Sequence, residues 1–216
     1  MIRLHHIPGT RSMRVLWLLE ELALPYDLRQ WSLTDGSLRS AEFLALSPAG
    51  RIPALEIDGR AIFESGAIVQ YLTEREGRLA PAPGDPERAD FLEWVSFAET
   101  QGATLQALNI QHMFLRPDTA RSIPLLKLDT RRLAVTARAL NHHLGGRPTL
   151  LDSGFSAADC MLGFNTDGVF RFLPASDYPA LAAYRDRMLA RPALQRAIRA
   201  GGASMYDRDF YEVPDV

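Results

Sequence analysis

Three short clusters in this chain carry groups able to do chemistry. Glu64-Ser65-Gly66 opens a segment with apolar residues at Ala67, Ile68, Tyr71 and Leu72, the spacing of one helical face. Ser65 therefore stands where a helix begins. Unpaired backbone N–H groups and the positive end of the helix dipole meet there, so a small hydroxyl either caps the helix or helps to seat an anion, capping being the commoner use. Arg51-Ile52-Pro53 leads into an apolar strand, where proline is tolerated only at a first position, an edge or a specially shaped turn. The third cluster, Thr10-Arg11-Ser12, follows Pro8-Gly9 and precedes an apolar helical run. Of its two hydroxyls, Ser12 reads as the helix N-cap, bound to a backbone N–H two or three residues on; Thr10 reads as a loop hydroxyl.

Other combinations carry less. His5-His6 and His142-His143 are adjacent pairs and not the i,i+4 pairs that place two imidazoles on one helix face, so no metal site is expected. The single Cys160 excludes an internal disulfide and a Cys-x-x-Cys pair, and reads as a buried, inert thiol. Gly145-Gly146 and Gly201-Gly202 lack the lysine and hydroxyl residue of a phosphate loop.

The clusters have to be held by a scaffold, and its elements are legible in order. Ile2 to His6 forms a short strand. Met13 to Ala23 is a helix with Val15, Leu18, Leu19 and Leu22 at helical spacing, stopped by Leu24-Pro25. Tyr26 to Trp31 alternates as a half-buried strand, which completes a parallel strand-helix-strand unit. A short helix over Ala41 to Leu46 leads to two antiparallel strands, Ala54 to Ile57 and Ala61 to Phe63, joined at Asp58-Gly59, the dipeptide of a two-residue hairpin turn. Gly77 to Pro86 holds three prolines and two glycines and reads as a linker. Everything beyond it is helical: Glu87 to Leu115, Leu125 to Leu144, an apolar run headed by the capping box Ser156-Ala157-Ala158-Asp159, and shorter helices over Pro179 to Ala190 and Pro192 to Ala200. The expected division is 1–76, an α/β domain with a small mixed sheet; 77–86, a linker; and 87–216, an all-α domain. The tail 206–216 is aromatic and acidic and receives no assignment.

A chain of 216 residues, 47% hydrophobic and 23% charged, is long enough for well-buried cores and reads as globular. A net charge of −2 with cations scattered along the chain gives no footprint for nucleic acid or an anionic membrane. The start Met-Ile-Arg-Leu-His-His lacks the apolar core of a signal peptide and no run reaches the length of a membrane span, so the expected compartment is the cytoplasm.

These features, in this order, resemble a cytosolic glutathione transferase over essentially the whole length. The most specific parts are RIPAL followed at this separation by FESGAIVQYL, together with RVLWLLEEL (Arg14 to Leu22), which is similar to the first helix of bacterial and fungal serine-type, theta-like members. The resemblance implies a thioredoxin-like N-terminal domain with a mixed four-stranded sheet and a C-terminal helical bundle. It implies glutathione as co-substrate, no metal, a homodimer, and a detoxifying transfer of the thiolate to a small electrophile. Pro53 would be cis, letting the backbone of Ile52 pair with the tripeptide as an added strand. Glu64 would meet the ligand's ammonium, and Ser65 would receive its α-carboxylate at the helix start. Arg51 is placed to contact the peptide or glycine carboxylate, with a solvated surface role equally open, and Arg11 joins the binding set.

The chemistry implied needs a thiolate, and a hydroxyl donor beside the sulfur lowers the thiol pKa from about 8.5. The position matching the family's acting serine, four residues before Arg14, is Thr10; Ser12 is the rival. The electrophile would sit in an apolar pocket lined near Leu108, His112 and Met113. A glutathione-dependent isomerase or peroxidase would use the same site, and the same fold also occurs as a catalytically silent binding module. Gly9-Thr10-Arg11-Ser12 departs from the Ser-Ser-Cys run of zeta-type isomerases, and the cysteine of beta-type members is absent.

Overall fold

In the computed structural model, which describes residues 1–213, the elements run β1 (Ile2–His6), α1 (Ser12–Leu22), β2 (Asp27–Gln30), α2 (Ala41–Leu46), β3 (Ala54–Ile57), β4 (Arg60–Phe63), α3 (Ser65–Glu76), α4 (Arg88–Met113), α5 (Ile123–His143), α6 (Ala157–Val169), α7 (Pro179–Leu189) and α8 (Pro192–Gly201). The four strands form one mixed sheet in the order β2-β1-β3-β4. β1 and β2 are parallel, while β1 with β3 and β3 with β4 are antiparallel. The β3–β4 turn is built as its residues dictate: Asp58 and Gly59 have φ of 52° and 77°, the two positive angles that such a hairpin demands. This is the thioredoxin-like sheet and helical domain that the sequence implies.

Residues fall into two compact units, Met1–Arg88 with Leu189–Met205, and Ala89–Met188 with the tail from Tyr206. The sequence-based division at 77–86 placed the segment Pro192 to Ala200 in the helical domain; in the structure α8 packs on α1 of the first unit instead. The reason lies in α1. Val15, Leu16, Trp17, Leu18 and Leu19 are all fully buried, so this helix is enclosed on every side and needs a second cover besides the sheet. α8 supplies it with the stripe Ala193, Leu194, Ala197 and Gly201, in which all but Leu194 are small and allow close approach. Arg191 and Arg196 add ion pairs to Glu21 and Glu20, each 2.6 Å long and partly exposed, worth well under the apolar burial beneath them.

In the second unit, α4 buries a helical stripe of Phe91, Val95, Ala98, Gly102, Leu105 and Leu108. The capping box forms as read: Ser156 N–H donates to Asp159 Oδ2 at 2.8 Å at the start of α6. The tail is held by this unit through one side-chain and one backbone bond, Asn109 Nδ2 donating to Tyr206 Oη at 2.8 Å and Tyr211 N–H to the Arg171 carbonyl at 2.7 Å. The last three residues of the tail, 214–216, lie outside the described residues.

His112 at the end of α4 is 3% exposed and packs at a tilt against Tyr211 and Phe172, ring centroids 4.7 and 5.6 Å away. Both of its ring nitrogens are buried without a hydrogen-bond partner. Burial, reinforced by Arg121, pushes its pKa down to about 4. Between pH 6.5 and about 4 the unfolded chain therefore binds a proton that the folded chain does not, so this group's contribution is intact above 6.5 and is lost as pH falls toward 4. The expected loss is about 3 kcal/mol from His112 alone. Urea unfolding at pH 7 and pH 4.5 checks it: His112→Phe should lose less stability over that interval than the unaltered protein, and an identical loss would contradict it.

Candidate active site

Sheet topology brings the three clusters to one end. His5 of β1 pairs with Ala54 of β3, and Ala54 pairs with Phe63 of β4. The loop leaving β1, the turn entering β3 and the turn leaving β4 therefore share one end of the sheet, and these carry Thr10 to Ser12, Arg51 to Pro53, and Glu64-Ser65 respectively.

The turn into β3 is pinned from below. Ser47, 1% exposed, donates its hydroxyl to Arg51 O at 2.8 Å and accepts from Arg51 N–H at 3.3 Å. Gly50 has φ of 61°, and a Cβ there would stand 2.9 Å from Leu38 O, so only glycine fits. The Ile52-Pro53 bond is cis, Ile52 is half-buried and Arg51 is exposed.

At the third cluster, Ser65 is not the cap that local sequence favours. Glu64 occupies the N-cap position with φ 69° and ψ 116°, a strained backbone for a non-glycine residue, and its exposed side chain makes no capping bond. Ser65 is the first residue of α3 and is 2% exposed. Its Oγ accepts from Arg14 Nη1 at 2.9 Å. Arg14 is itself fully buried, a cation placed directly behind a helix N-terminus. An oxygen held by a guanidinium keeps its own hydrogen for donation, so the hydroxyl, the first-turn N–H groups and the arginine together favour a carboxylate. Sequence reading used Arg14 only as a marker of the first helix and missed this role. The available signal was a lone arginine inside an otherwise apolar helical run.

The first cluster also departs from expectation. Ser12 is not an N-cap: Arg11 holds that position without a side-chain cap bond, and Ser12 is the first helical residue, fully buried. Its Oγ lies 2.7 Å from His6 Nδ1, accepts from Ile7 N–H at 3.3 Å and lies 2.9 Å from Thr10 Oγ1. The strand end and loop before the helix hold this hydroxyl, not the N–H groups of the helix's own first turn. Thr10 is half-buried and its hydroxyl also reaches Ile7 O at 2.8 Å. Thr10 is thus the hydroxyl of this loop with access to the surface, and Arg11 beside it is half-buried. The segment after α8 lies against the same loop, for a Cβ on Gly9 would stand 3.2 Å from Ser204 Oγ.

The remaining candidates belong to the second unit. Leu108 is fully buried and His112 sits under Tyr211, so these two are core packing and do not form an open pocket wall; Met113 is half-buried. Their apolar spacing is the signature of a core face, which is what α4 uses it for. Cys160 is buried and forms no disulfide. Among the described residues there is no cluster of three or more His, Cys, Asp or Glu able to hold a metal, and no helix long and apolar enough to cross a membrane.

Comparison with known proteins identifies the family of both domains. The N-terminal-domain profile of the glutathione S-transferases matches residues 1–74 and the C-terminal-domain profile matches residues 104–192. The disulfide-bond oxidoreductase YfcG of Escherichia coli is 31% identical over 208 residues, covering 92% of this chain and 94% of its own. Glutathione S-transferase 3 of Schizosaccharomyces pombe is 27% identical over 207 residues, covering 89% and 78%. A solved glutathione transferase from Pseudomonas putida, with one glutathione disulfide bound per subunit, superposes with a TM-score of 0.79 at 25% identity over 93% of this chain and 92% of that one. With both domain profiles matched in order and a relative above 30% identity along nearly the full length, this chain belongs to the glutathione S-transferase family.

Proposed function

We propose that this protein binds glutathione at this end of the sheet and transfers its thiolate to small electrophilic substrates. The observation that carries the reading is the α3 start, where Arg14 bonds Ser65 behind a strained, exposed Glu64. One anion-seeking and one cation-seeking group stand side by side, which suits a γ-glutamyl end that bears both an ammonium and a carboxylate. Ile52, ahead of cis-Pro53, offers its backbone to the cysteinyl part, with Arg51 and Arg11 available to the remaining carboxylate. Thr10 donates to the sulfur, and Ser12 supports it from behind.

A second reaction on the same thiolate is attack on a disulfide. It is favoured by the oxidoreductase relative and by the glutathione disulfide in the Pseudomonas putida structure. In that reading two glutathione thiols do the exchange, since the chain's single cysteine is buried. Retention on glutathione-agarose tests the binding, and parallel assays with an aryl halide and with a small organic disulfide tell the reactions apart. Retention with turnover of the halide is the expected result; retention with disulfide turnover only would assign the protein to the second reaction. Failure of both retention and turnover would leave a silent module.

We further place the protein in the cytoplasm as a homodimer. Supporting the dimer are large apolar side chains left on the surface, Phe63 on β4 at 43% exposure and Leu92 on α4 at 37%. Light scattering at micromolar protein should give twice the chain mass, and the chain mass alone would exclude the dimer.

A further inference from the structure

The hydroxyl pair after β1 continues inward. His6 Nε2 lies 3.1 Å from Gly201 O at the end of α8. A carbonyl only accepts, so Nε2 carries the hydrogen, and in the neutral ring Nδ1 is then a bare acceptor. Ser12 Oγ has two acceptors within reach, Nδ1 at 2.7 Å and Ile7 O at 3.3 Å; the nearer, bare Nδ1 takes its hydrogen, which commits the one that Ser12 has. Towards Thr10, 2.9 Å away, Ser12 can then only accept. The directions in the resting protein are thereby fixed from the inside outwards: Thr10 points its hydrogen inward, to Ser12 Oγ or to Ile7 O, and turns a lone pair to whatever lies beyond it.

We propose that Thr10, Ser12 and His6 form a hydroxyl relay that carries the proton of a bound thiol to His6; the proposal rests on the reading of Thr10 as the residue beside the glutathione sulfur. The S–H proton passes to Thr10 Oγ1, the Thr10 proton to Ser12 Oγ, and the Ser12 proton to His6 Nδ1. One proton leaves sulfur and one arrives on imidazole, with every hydroxyl intact and the total charge unchanged. The transfer reverses each hydrogen bond in the chain. Afterwards His6 Nδ1–H donates to Ser12, Ser12 donates to Thr10, and Thr10 donates outward to the thiolate. Before it, the same hydroxyl is oriented to accept from the thiol. The relay thus supplies both the acceptor that deprotonation requires and the donor that the thiolate requires, from one oxygen. Ser12 and His6 act through Thr10 and touch no substrate.

The surroundings of His6 suit a proton that arrives only with a counter-charge. The ring is fully buried, and burial holds its pKa below 6.5, so it stays neutral until a thiolate forms nearby. The charged groups of the elements packed around it are engaged elsewhere: Arg14 on Ser65, Glu20 on Arg196, Glu21 on Arg191, and Arg3 on Asp27 and Glu56. Neighbouring His5 bonds Glu56, Arg29 bonds Glu42, and Arg11 and Arg199 are half-buried and exposed. Gly201 makes the carbonyl's approach possible, because a Cβ there would stand 2.9 Å from Met13 Sδ and 3.1 Å from His6 Nε2.

The test follows the ultraviolet absorbance of bound glutathione thiolate against pH. His6→Gln keeps amide donors and acceptors but takes no proton, and Ser12→Ala cuts the chain in the middle. In either variant, with folding confirmed by circular dichroism, the thiolate fraction at pH 7 should fall about tenfold and rejoin the unaltered protein at high pH. Nitrogen NMR of the unaltered protein gives an independent reading: the His6 ring should change from the neutral Nε2–H form to the doubly protonated form when glutathione binds. A His6 ring that stays neutral beside bound thiolate, or a folded His6→Gln protein with an unchanged thiolate titration, would overturn the relay. If Thr10→Ala is equally silent, the placement of Thr10 at the sulfur fails as well; if Thr10→Ala shifts the titration and His6→Gln does not, the relay alone fails.

Discussion

Thr10→Ala should raise the pKa of the bound thiol by about one to two units and slow conjugation roughly ten- to a hundredfold at neutral pH. A hydrogen bond to a charged acceptor is worth about 1.5–3 kcal/mol, and each pKa unit corresponds to 1.36 kcal/mol, which fixes that range. Thr10 is assigned the donor role because it is the half-buried member of the pair, whereas Ser12 is fully enclosed with its hydrogen bound to His6. Removing Thr10 Oγ1 should cost little stability, since Ile7 O keeps the turn bond from Thr10 N–H at 3.2 Å. Removing Ser12 Oγ, in contrast, strands His6 Nδ1 and Ile7 N–H in the interior, at about 1–3 kcal/mol each. A pH profile of kcat/KM together with thermal melts separates the two. A Thr10→Ala enzyme whose acid limb does not move would show that another group lowers the thiol pKa.

What could be read from residue order, and what could not, divides along the range of the interactions involved. The strands, the Asp58-Gly59 turn and the Ser156–Asp159 box are written in neighbouring residues, and local chemistry decides them, whereas the cis state of Pro53 is implied by the family resemblance alone. Ser12 and Ser65 look like caps for the same local reason, and both readings failed because a partner outside the helix's own first turn holds the hydroxyl. For Ser65 that partner is Arg14, 51 residues away; for Ser12 it is His6, whose ring is in turn oriented by Gly201, 195 residues further along the chain. His5-His6 illustrates the point: the doublet carries no metal-ligand spacing, yet its members have separate tasks, His5 bonding Glu56 and Trp31 while His6 bonds Ser12 and Gly201. The placement of α8 was hidden similarly. Its apolar stripe states that it is covered, and only the all-round burial of α1 states by what. Leu108 and His112 went the other way, since an apolar stripe on α4 looks the same whether it lines a pocket or fills a core.

Asp159→Ala should be the most destabilising single change considered, at about 3–5 kcal/mol. Asp159 is fully buried, and its carboxylate collects four donors: Ser156 N–H at 2.8 Å, Tyr184 Oη at 2.9 Å, Leu150 N–H at 3.1 Å and Ser156 Oγ at 3.3 Å. These donors join the start of α6 to the segment before it and to α7, so one side chain fixes three stretches of the second unit. Burial pushes the Asp159 carboxyl pKa up, while the donors oppose that rise, which shows how much of the desolvation cost they offset. Alanine removes the acceptor and leaves the donors unpaired in a site too enclosed for water to replace it freely. Tyr184→Phe removes a single donor and keeps the ring's packing, so about 1–2 kcal/mol is expected. For a chain of this size the Asp159→Ala loss corresponds to a fall in Tm of roughly 10 °C, against a few degrees for Tyr184→Phe. Calorimetry of the two variants beside the unaltered protein decides the matter: equal small shifts would mean that the box orients α6 without carrying its stability, and a Tyr184→Phe loss larger than that of Asp159→Ala would place the stabilisation in the α7 packing instead.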